Sequence, residues 1–431
     1  MEYTTLEQTL LTKLALDDTS EQRRISVSKL VKHNIYRAFR NTQIRILEYG
    51  SFPLKTYLPE ADIDLTVIIS HISDTFSSLQ AIQRIHRQLD YAALHRPDLE
   101  IQNITSIQAE VNVLKFQIKG LPIDVSINQL GGFKTLCFLQ QADNLLPNHF
   151  LKRSIVVVKC WAAYCSRILG SMHGLLSTYA LEILVLFVMN CVPESRASPI
   201  ELLKQLVLYF QNFDWENSVV TCCGVLSASR YSLLLREGND LEEFASMKYR
   251  DLILSPEFIK NQRRELKVES INNYIQLKYI NLADPLAPTN NLGRSVSLSS
   301  YGRIKLVFDL SAATIREKGV EAILSSIFSS NLTHQPSWAE EALGIPVRWP
   351  ELSEEPRKEF RLEMLGVNLS WLKKSLDEAQ GMLTPSLLIT PQTVLHNNNG
   401  REKSRSYQKS QGRRYRAVGG CKMNDGVNGC K

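Results

Sequence analysis

In the first third of the chain the spacing of hydrophobic residues changes from a helical period of three to four residues to the two-residue period of a strand. Between residues 21 and 40 apolar positions recur every three or four residues, which predicts an amphipathic helix. From Ile44 to Tyr49 the period is two, which predicts a strand. Lys119-Gly120 is typical of a tight hairpin between two apolar runs. Further strands are predicted at 62–69, 111–118 and 122–127. Residues 40–130 are therefore expected to be α+β.

After residue 150 the apolar runs lengthen and take a helical period, which predicts a mainly helical region. Helices are predicted at 151–165, 177–190, 199–213 and 310–328. The predicted organisation is a helical segment at 1–40 that packs on the central domain, an α+β domain at 41–145, a helical central domain at 146–330, a weakly organised extension at 331–395 and a basic disordered tail at 396–431.

Composition narrows the class of protein. The 431 residues are 44% apolar and 22% charged, which is ordinary for a folded chain of two or three domains. The longest apolar run, residues 180–192, contains Glu182 and Asn190 and is shorter than the ~20 residues of a membrane span. With no secretory signal pattern, we expect an intracellular protein, nuclear or cytoplasmic, without a membrane partner. The eight cysteines form no zinc-binding spacing and are expected to be buried thiols.

The net charge of +6 belongs to the tail. Residues 396–431 hold nine basic and two acidic residues, a balance of +7, so the rest of the chain sums to −1. A nucleic-acid groove in the folded part would therefore need local clustering of cations. Candidates near the predicted site, each of which is otherwise an ordinary surface charge, are Lys55, Lys115, Lys119, Lys134, Lys152 and Arg153.

The strongest chemical signal is Gly50-Ser51, then ten intervening residues, then Asp62-Ile63-Asp64. Residues two apart in a strand share a face, so the two carboxylates project together and repel each other. Asp124 lies in another predicted strand and is expected to join them. Three carboxylates suit a pair of Mg²⁺ or Mn²⁺ ions and in-line phosphoryl chemistry. Gly50 allows the backbone to approach a phosphate closely, and Ser51 offers donors to it.

These residues resemble a known family. The segments GSFPLKTYLPEADIDLT (50–66) and IDVSINQLGG (123–132) resemble the polymerase-β-type nucleotidyltransferase palm, most closely that of plant-type poly(A) polymerases and oligoadenylate-synthetase-like proteins. These are relatives of the terminal RNA nucleotidyltransferases. The resemblance implies that Asp62, Asp64 and Asp124 bind two Mg²⁺ or Mn²⁺ ions and catalyse nucleotidyl transfer, and that a helical substrate-binding domain follows the palm.

The residues also indicate a nucleotide pocket. Lys159 lies in an apolar helix and is expected to reach a polar cavity or an anion. Ser177 or Thr178 is expected to cap the next helix and present N–H groups to phosphate, and Tyr179 offers a face for a base. The resemblance assigns Lys159, Thr178 and Tyr179 to triphosphate and base, and Thr135 to the ribose. It also implies base recognition by the segment 284–294, with Asp284, Asn290, Asn291 and Arg294 as contacts.

Two departures bear on function. Relatives often carry a second phosphate-binding lysine where Ala163 stands, and uridine-preferring relatives often carry a histidine where Asn290 stands. The second favours ATP over UTP. The predicted function is template-independent transfer of an adenylyl group from ATP to the 3′-hydroxyl of single-stranded RNA. The alternatives are uridylyl transfer, a catalytically weak RNA-binding scaffold of the same fold, and synthesis of 2′-5′ oligonucleotides.

Overall fold

The structure is a computed structural model. It describes residues 2–14, 18–70, 77–108, 111–268, 274–328 and 361–383. Seven strands are described: β1 (Ile44–Tyr49), β2 (Ile63–Ile69), β3 (Ile101–Ile107), β4 (Val113–Ile118), β5 (Leu121–Ile127), β6 (Ser218–Thr221) and β7 (Gly224–Ser227). The α-helices described are α1 (Glu2–Leu14), α2 (Asp18–Ala38), α3 (Ser51–Leu54), α4 (Ser78–His95), α5 (Gly131–Asp143), α6 (Phe150–Cys160), α7 (Thr178–Cys191), α8 (Pro199–Phe210), α9 (Ala228–Arg236), α10 (Leu241–Ser246), α11 (Pro256–Glu265), α12 (Leu298–Lys318), α13 (Ser325–Phe328) and α14 (Leu369–Met382). Among these residues no helix is long and apolar enough to cross a bilayer.

The α+β prediction is confirmed by a five-stranded mixed sheet of order β1-β2-β5-β4-β3. β2 and β5 are parallel, and the other neighbours are antiparallel. The predicted hairpin joins β4 to β5, and Lys119 (φ 50°) and Gly120 (φ 74°) both take the left-handed conformation of a tight two-residue turn. The edge strand β3 was not predicted, because its sequence IQNITSI has no clear alternation of apolar and polar residues. A bulge also interrupts its pairing with β4.

Helix α2 organises the loop that joins the two motifs of the site. Arg24 is buried, and its guanidinium donates to the carbonyls of Ala61 at 2.6 Å and Pro59 at 2.7 Å. Glu21 accepts from Tyr57 Oη at 2.7 Å and pairs with Lys55. Because these bonds hold the loop after α3 on α2, they determine where the chain enters β2.

In the helical region the predicted helices are present, but several of them begin or end at other residues than predicted. α6 stops at Cys160, where a wider π-helical turn, Trp161–Cys165, replaces the predicted α-helical continuation. Ser177 caps α7 by accepting from the amide of Ala180 at 3.1 Å, and Ser198 caps α8. The predicted helix at 310–328 is interrupted: its first part belongs to the longer α12, which stops before Gly319 (φ 85°), and its second part forms a 3-10 turn, Val320–Leu324, and the short α13.

One apolar core contains residues of both the sheet and the helices, and a small second core lies around β6 and β7. The N-terminal segment contacts both regions, since α1 packs on α6 and α8 whereas α2 packs on α4. The six described cysteines are buried, as composition predicts. The basic tail and most of the predicted extension lie outside the described residues.

Candidate active site

Neighbouring strands of the sheet bring the three predicted carboxylates together. Asp64 and Asp124 are register partners in the parallel pair of β2 and β5. Asp62 stands directly before β2, two residues from Asp64, so the backbone presents both side chains on one face. Carboxylate oxygens of all three residues lie within 4.8 Å of one another. The sequence-predicted triad is therefore a spatial cluster.

The carboxylates of this cluster repel one another, and the nearby cations only partly offset burial and that repulsion. Burial, then the neighbouring Asp124, raises the pKa of Asp62. Burial, then Asp62 and Asp124, raises the pKa of Asp64 well above its ordinary value. Lys115, the register partner of Asp124 on β4, forms an ion pair with that carboxylate. A hard divalent cation would relieve the remaining repulsion, so these donors fit Mg²⁺ or Mn²⁺.

Gly50 closes the other side of the cluster. Its backbone has φ 77°, and a Cβ added there would lie 2.3 Å from Oδ2 of Asp64. Only glycine gives both the conformation and the space. Ser51 begins α3 immediately after this close approach.

Tyr49 is a site residue that sequence reasoning missed. It is the register partner of Asp64 across β1 and β2, and its hydroxyl lies near the side chain of Ser126. Its ring fills the space above Gly132, where an added Cβ would lie 2.3 Å from Cδ2 of Tyr49. Burial, then the charge of Asp64, raises the pKa of Tyr49 above its usual range. In the sequence, the position of Tyr49 directly before Gly50-Ser51 is the feature that could have identified it as a site residue.

Arg24 is a second missed residue. It lies three positions before Val27 on the buried stripe of α2, where a cation needs a polar partner. Besides its carbonyl partners, it stacks over the ring of Tyr57 at 4.4 Å. It also acts electrostatically on Asp62, the carboxylate that follows the loop it holds.

Lys159 reaches an anion, as the sequence predicts, but the anion is a residue of this chain. Its ammonium lies 2.8 Å from Oε1 of Glu182 on α7, and it donates to the carbonyl and hydroxyl of Thr56 at 3.3 Å. Lys159 is 3% exposed. It therefore links α6 to both α7 and the loop after α3. Its positive charge also lowers the pKa of Asp64, against the larger effect of burial.

The predicted nucleotide contacts from three parts of the chain form one hydrogen-bond network. Tyr179 Oη donates to Oδ1 of Asp284 at 2.9 Å, and the nearby side chain of Thr135 on α5 lowers the pKa of Tyr179 against burial. Asn290 Nδ2 donates to the second oxygen of Asp284 at 2.9 Å, and Arg294 donates to Oδ1 of Asn290 at 2.5 Å. Burial raises the pKa of Asp284, and these hydrogen bonds oppose that rise. The network holds the 284–294 loop beside Tyr179.

Two other predicted contacts have structural partners, and a third is exposed. Asn291 is 2% exposed and accepts from the amides of Leu282 and Gly293, while its Nδ2 donates to Gln276 and Asn281. Ser177 is occupied as the cap of α7. Thr178 is exposed at the first position of that helix.

Several cations suggested for an RNA groove are instead used internally. Lys152 is fully buried, so its prediction as a groove residue is wrong: apolar neighbours on α6 carry it into the core. Lys55 and Arg153 pair with Glu21 and Glu7. Lys134 donates to the carbonyl of Lys267 at 2.9 Å.

Family comparisons agree with this architecture. A family model of the PAP/OAS1 substrate-binding domain matches residues 146–327. A second model, described as the central palm domain of mitochondrial-like poly(A) RNA polymerase, matches residues 5–141. Residues 5–141 and 146–327 are therefore identified as the palm and substrate-binding domains of a PAP/OAS1-like nucleotidyltransferase fold. The narrower resemblance to plant-type enzymes stays a prediction.

Curated relatives match over part of their length. Poly(A) RNA polymerase CID14 of Cryptococcus neoformans is 24% identical over 205 residues, which cover 45% of this chain and 25% of the relative. Poly(A) RNA polymerase cid14 of Schizosaccharomyces pombe is 29% identical over 161 residues, 35% of this chain and 21% of the relative. This chain thus matches about a quarter of the length of these relatives or less.

Solved structures share the fold. A MgGTP-bound structure of the Cid1 poly(U) polymerase has a TM-score of 0.53 and 16% identity, covering 75% of this chain and 98% of that one. A cytoplasmic RNA terminal U-transferase has a TM-score of 0.51 and 16% identity, covering 75% and 97%. These likenesses confirm the polymerase-β-like fold.

Proposed function

We propose that this chain transfers adenylyl groups from ATP to the 3′-hydroxyl of single-stranded RNA without a template. The observation that carries the proposal is the cluster of Asp62, Asp64 and Asp124, whose carboxylate oxygens lie within 4.8 Å. In this proposal residues 41–145 act as the palm and 146–330 as the substrate-binding domain.

The three carboxylates are proposed to hold two Mg²⁺ or Mn²⁺ ions. When bound, such ions supply charge neutralisation and orientation for an in-line displacement at a phosphorus atom. Asp62 and Asp64 would orient the nucleotide side, where Gly50 lets the backbone approach closely. Asp124, across the strand pair from Asp64, is proposed to serve the acceptor side, where it could take the proton of the 3′-hydroxyl. Catalysis then comes mainly from positioning and electrostatics.

The nucleotide itself is proposed to rest on the network around Asp284. The ring of Tyr179 offers a stacking surface, worth about 1–3 kcal/mol for a base. Asn290 carries an amide, which is suited to the donor and acceptor of adenine N6 and N7. Its present partners, Asp284 and Arg294, hold it in the loop that would face the base. This amide is the basis for proposing ATP rather than UTP.

A tailing assay tests the proposal. Labelled single-stranded RNA is incubated with each NTP separately and with Mg²⁺ or Mn²⁺. We expect extension with ATP, and loss of at least about 10³-fold in rate for Asp62→Asn/Asp64→Asn, since the metal sites are removed. Asp90→Asn, an exposed carboxylate on α4, is the matched control and should retain wild-type activity.

Each other outcome has a definite meaning. Extension mainly with UTP would keep the chemistry and overturn the base assignment. Binding of RNA and ATP without extension by any NTP would overturn the enzymatic proposal in favour of a scaffold. Products linked 2′-5′, identified by nuclease resistance, would overturn the choice of acceptor hydroxyl.

A further inference from the structure

A segment near the C-terminus, residues 361–383, returns to the catalytic region and packs on it. Its helix α14 contacts α5 and β2. The buried side of the segment is apolar and is formed by Leu365, Leu372, Leu376, Ala379 and Leu383. The sequence predicts only weak organisation here. We call residues 361–383 the C-terminal segment.

Polar bonds attach α14 to both regions of the molecule. Glu378 pairs with Arg45 on β1 of the sheet. Lys373 pairs with Glu265 at the end of α11 in the helical region. Gln380 Nε2 donates to the carbonyl of Leu266 at 3.2 Å. The helix therefore spans from the edge of the sheet to the helical region.

The same segment has a buried polar anchor. The ammonium of Lys152 on α6 donates to the carbonyl of Leu365 at 2.6 Å. It lies 3.8 Å from the buried carboxylate of Asp143, which in turn lies 2.7 Å from Nδ1 of His149. A buried ammonium that lost this carbonyl would keep only the longer ion pair, so leaving the surface is costly for the segment.

The element beneath α14 touches both halves of the site. Helix α5 connects the sheet to α6 and carries Thr135, whose side chain lies near the hydroxyl of Tyr179 and lowers the pKa of that group against the larger effect of burial. It also carries Gly132, whose Cα lies against the ring of Tyr49 beside Asp64. A tilt of α5 would therefore move the nucleotide network relative to the carboxylates.

We infer that the C-terminal segment is a positioning brace for nucleotide binding: α14 clamps α5 between sheet and helices and so maintains the spacing between the carboxylates and the Tyr179–Asp284 pair. The inference rests on the proposed function in one respect, that the Tyr179–Asp284 pair contacts the nucleotide. The residues of the brace touch no substrate and act through α5.

The first test uses the full chain with one buried and one exposed substitution in α14. Leu376→Asp introduces a charge into the face packed on α5, and Trp371→Asp introduces the same charge at a half-exposed position. The probe is the rate of alkylation of Cys137, a buried thiol of α5. The charges of Lys373 and Asp377 on α14 and of Glu265 act on its pKa, so the thiol lies close to the contact between α14 and α5. ATP affinity is measured by calorimetry.

For Leu376→Asp we expect at least about fivefold faster alkylation of Cys137 and at least about fivefold weaker ATP binding, whereas Trp371→Asp changes neither. The KM for ATP should rise more than kcat falls. Unchanged ATP affinity in a variant whose Cys137 has become reactive would overturn the inference, as would continued protection of Cys137. Both readouts are independent of turnover, so absence of RNA tailing would contradict the proposed function alone.

A charge swap keeps the inference testable if Leu376→Asp fails to fold. Lys373→Glu with Glu378→Arg places like charges at both ion pairs of α14, and adding Glu265→Lys with Arg45→Glu restores opposite charges. Ser370→Glu, at an exposed position of the same helix, is the control. We expect Cys137 protection and ATP affinity to fall in the double variant and return to within about twofold in the quadruple one. Failure of the quadruple variant to recover either readout would overturn the inference.

Discussion

The Cα atom of Gly50 lies so close to the carboxylate of Asp64 that an added Cβ would stand 2.3 Å from Oδ2. This close approach connects the turn before α3 to the acidic cluster. The turn and the cluster therefore act as one unit, and a change in the turn should be felt at the carboxylates.

For Gly50→Ala we accordingly expect a loss of at least about 10²-fold in kcat/KM, because both the positive φ and the clash displace Asp64. Gly238→Ala is the control: that glycine also has a positive φ (72°), but an added Cβ there meets no atom within 4 Å. Tailing kinetics and melting temperature should be measured together. Wild-type kinetics for Gly50→Ala would contradict the coupling.

The acidic cluster predicts an unusual dependence of stability on pH. Because the pKa values of Asp62 and Asp64 are raised in the folded state, the native protein binds protons more tightly than the unfolded chain. Their contribution to stability is therefore favourable at pH below their unfolded pKa values and is lost as the pH rises through the folded values.

Metal should reverse this trend, since it competes with protons for the same oxygens. We expect Mg²⁺ or Mn²⁺ to raise the melting temperature at pH of about 7.5 and to do so much less at about 5.5. Asp62→Asn/Asp64→Asn should remove most of the metal effect and of the local pH dependence. An equal metal shift in wild type and this variant would exclude the cluster as the metal site.

Tyr179→Phe separates the hydrogen bond of the nucleotide network from its stacking surface. The change removes the 2.9 Å bond to Asp284 but keeps the ring. We expect about 1–2 kcal/mol of lost binding free energy, seen as a KM for ATP about tenfold higher with kcat little changed. Tyr179→Ala should weaken ATP binding further. Equal KM values for all three proteins would show that the nucleotide does not use this residue.

Arg24 should matter for metal affinity although it binds no metal. Arg24→Met leaves the carbonyls of Pro59 and Ala61 without their donors, and we expect about 2–4 kcal/mol lower unfolding free energy. The entry to β2 should loosen, so that metal affinity also falls. Arg23→Met, on the exposed side of the same helix, should have a small effect on both. Denaturant titrations and metal-dependent melting check these outcomes.

Local sequence patterns predicted the parts of this site that depend on short-range geometry. Asp62 and Asp64 share a face because side chains alternate along a strand, and Lys119-Gly120 turns because both residues tolerate positive φ. The α+β order followed from the change of period near residue 40. Asp124 is expected to join Asp62 and Asp64 from its place in a second predicted strand, the resemblance of 50–66 and 123–132 to a nucleotidyltransferase palm assigns the three acids to metal binding, and the fold confirms the class.

Other features depended on partners far away in the chain, which no local pattern encodes. The cation at Lys159 could be foreseen to need an anion, but that Glu182 and Thr56 supply its partners was decided by the packing of α6 on α7. From the sequence Lys152 is expected to be a surface cation. It is buried and bonds the C-terminal segment because α1, α5, α7 and α8 all pack on α6. The role of the C-terminal segment likewise arises only when α14 lies on α5.

The sequence by itself thus determined which residue types stand at each strand and turn, because backbone geometry acts over a few residues. Only the tertiary structure decided which buried charges are paired, since a desolvated charge is stabilised by whichever opposite charge or dipole the packing brings within a few ångströms. That choice turned Lys159 and Lys152 inward and left Asp62 and Asp64 as the anions in need of cations.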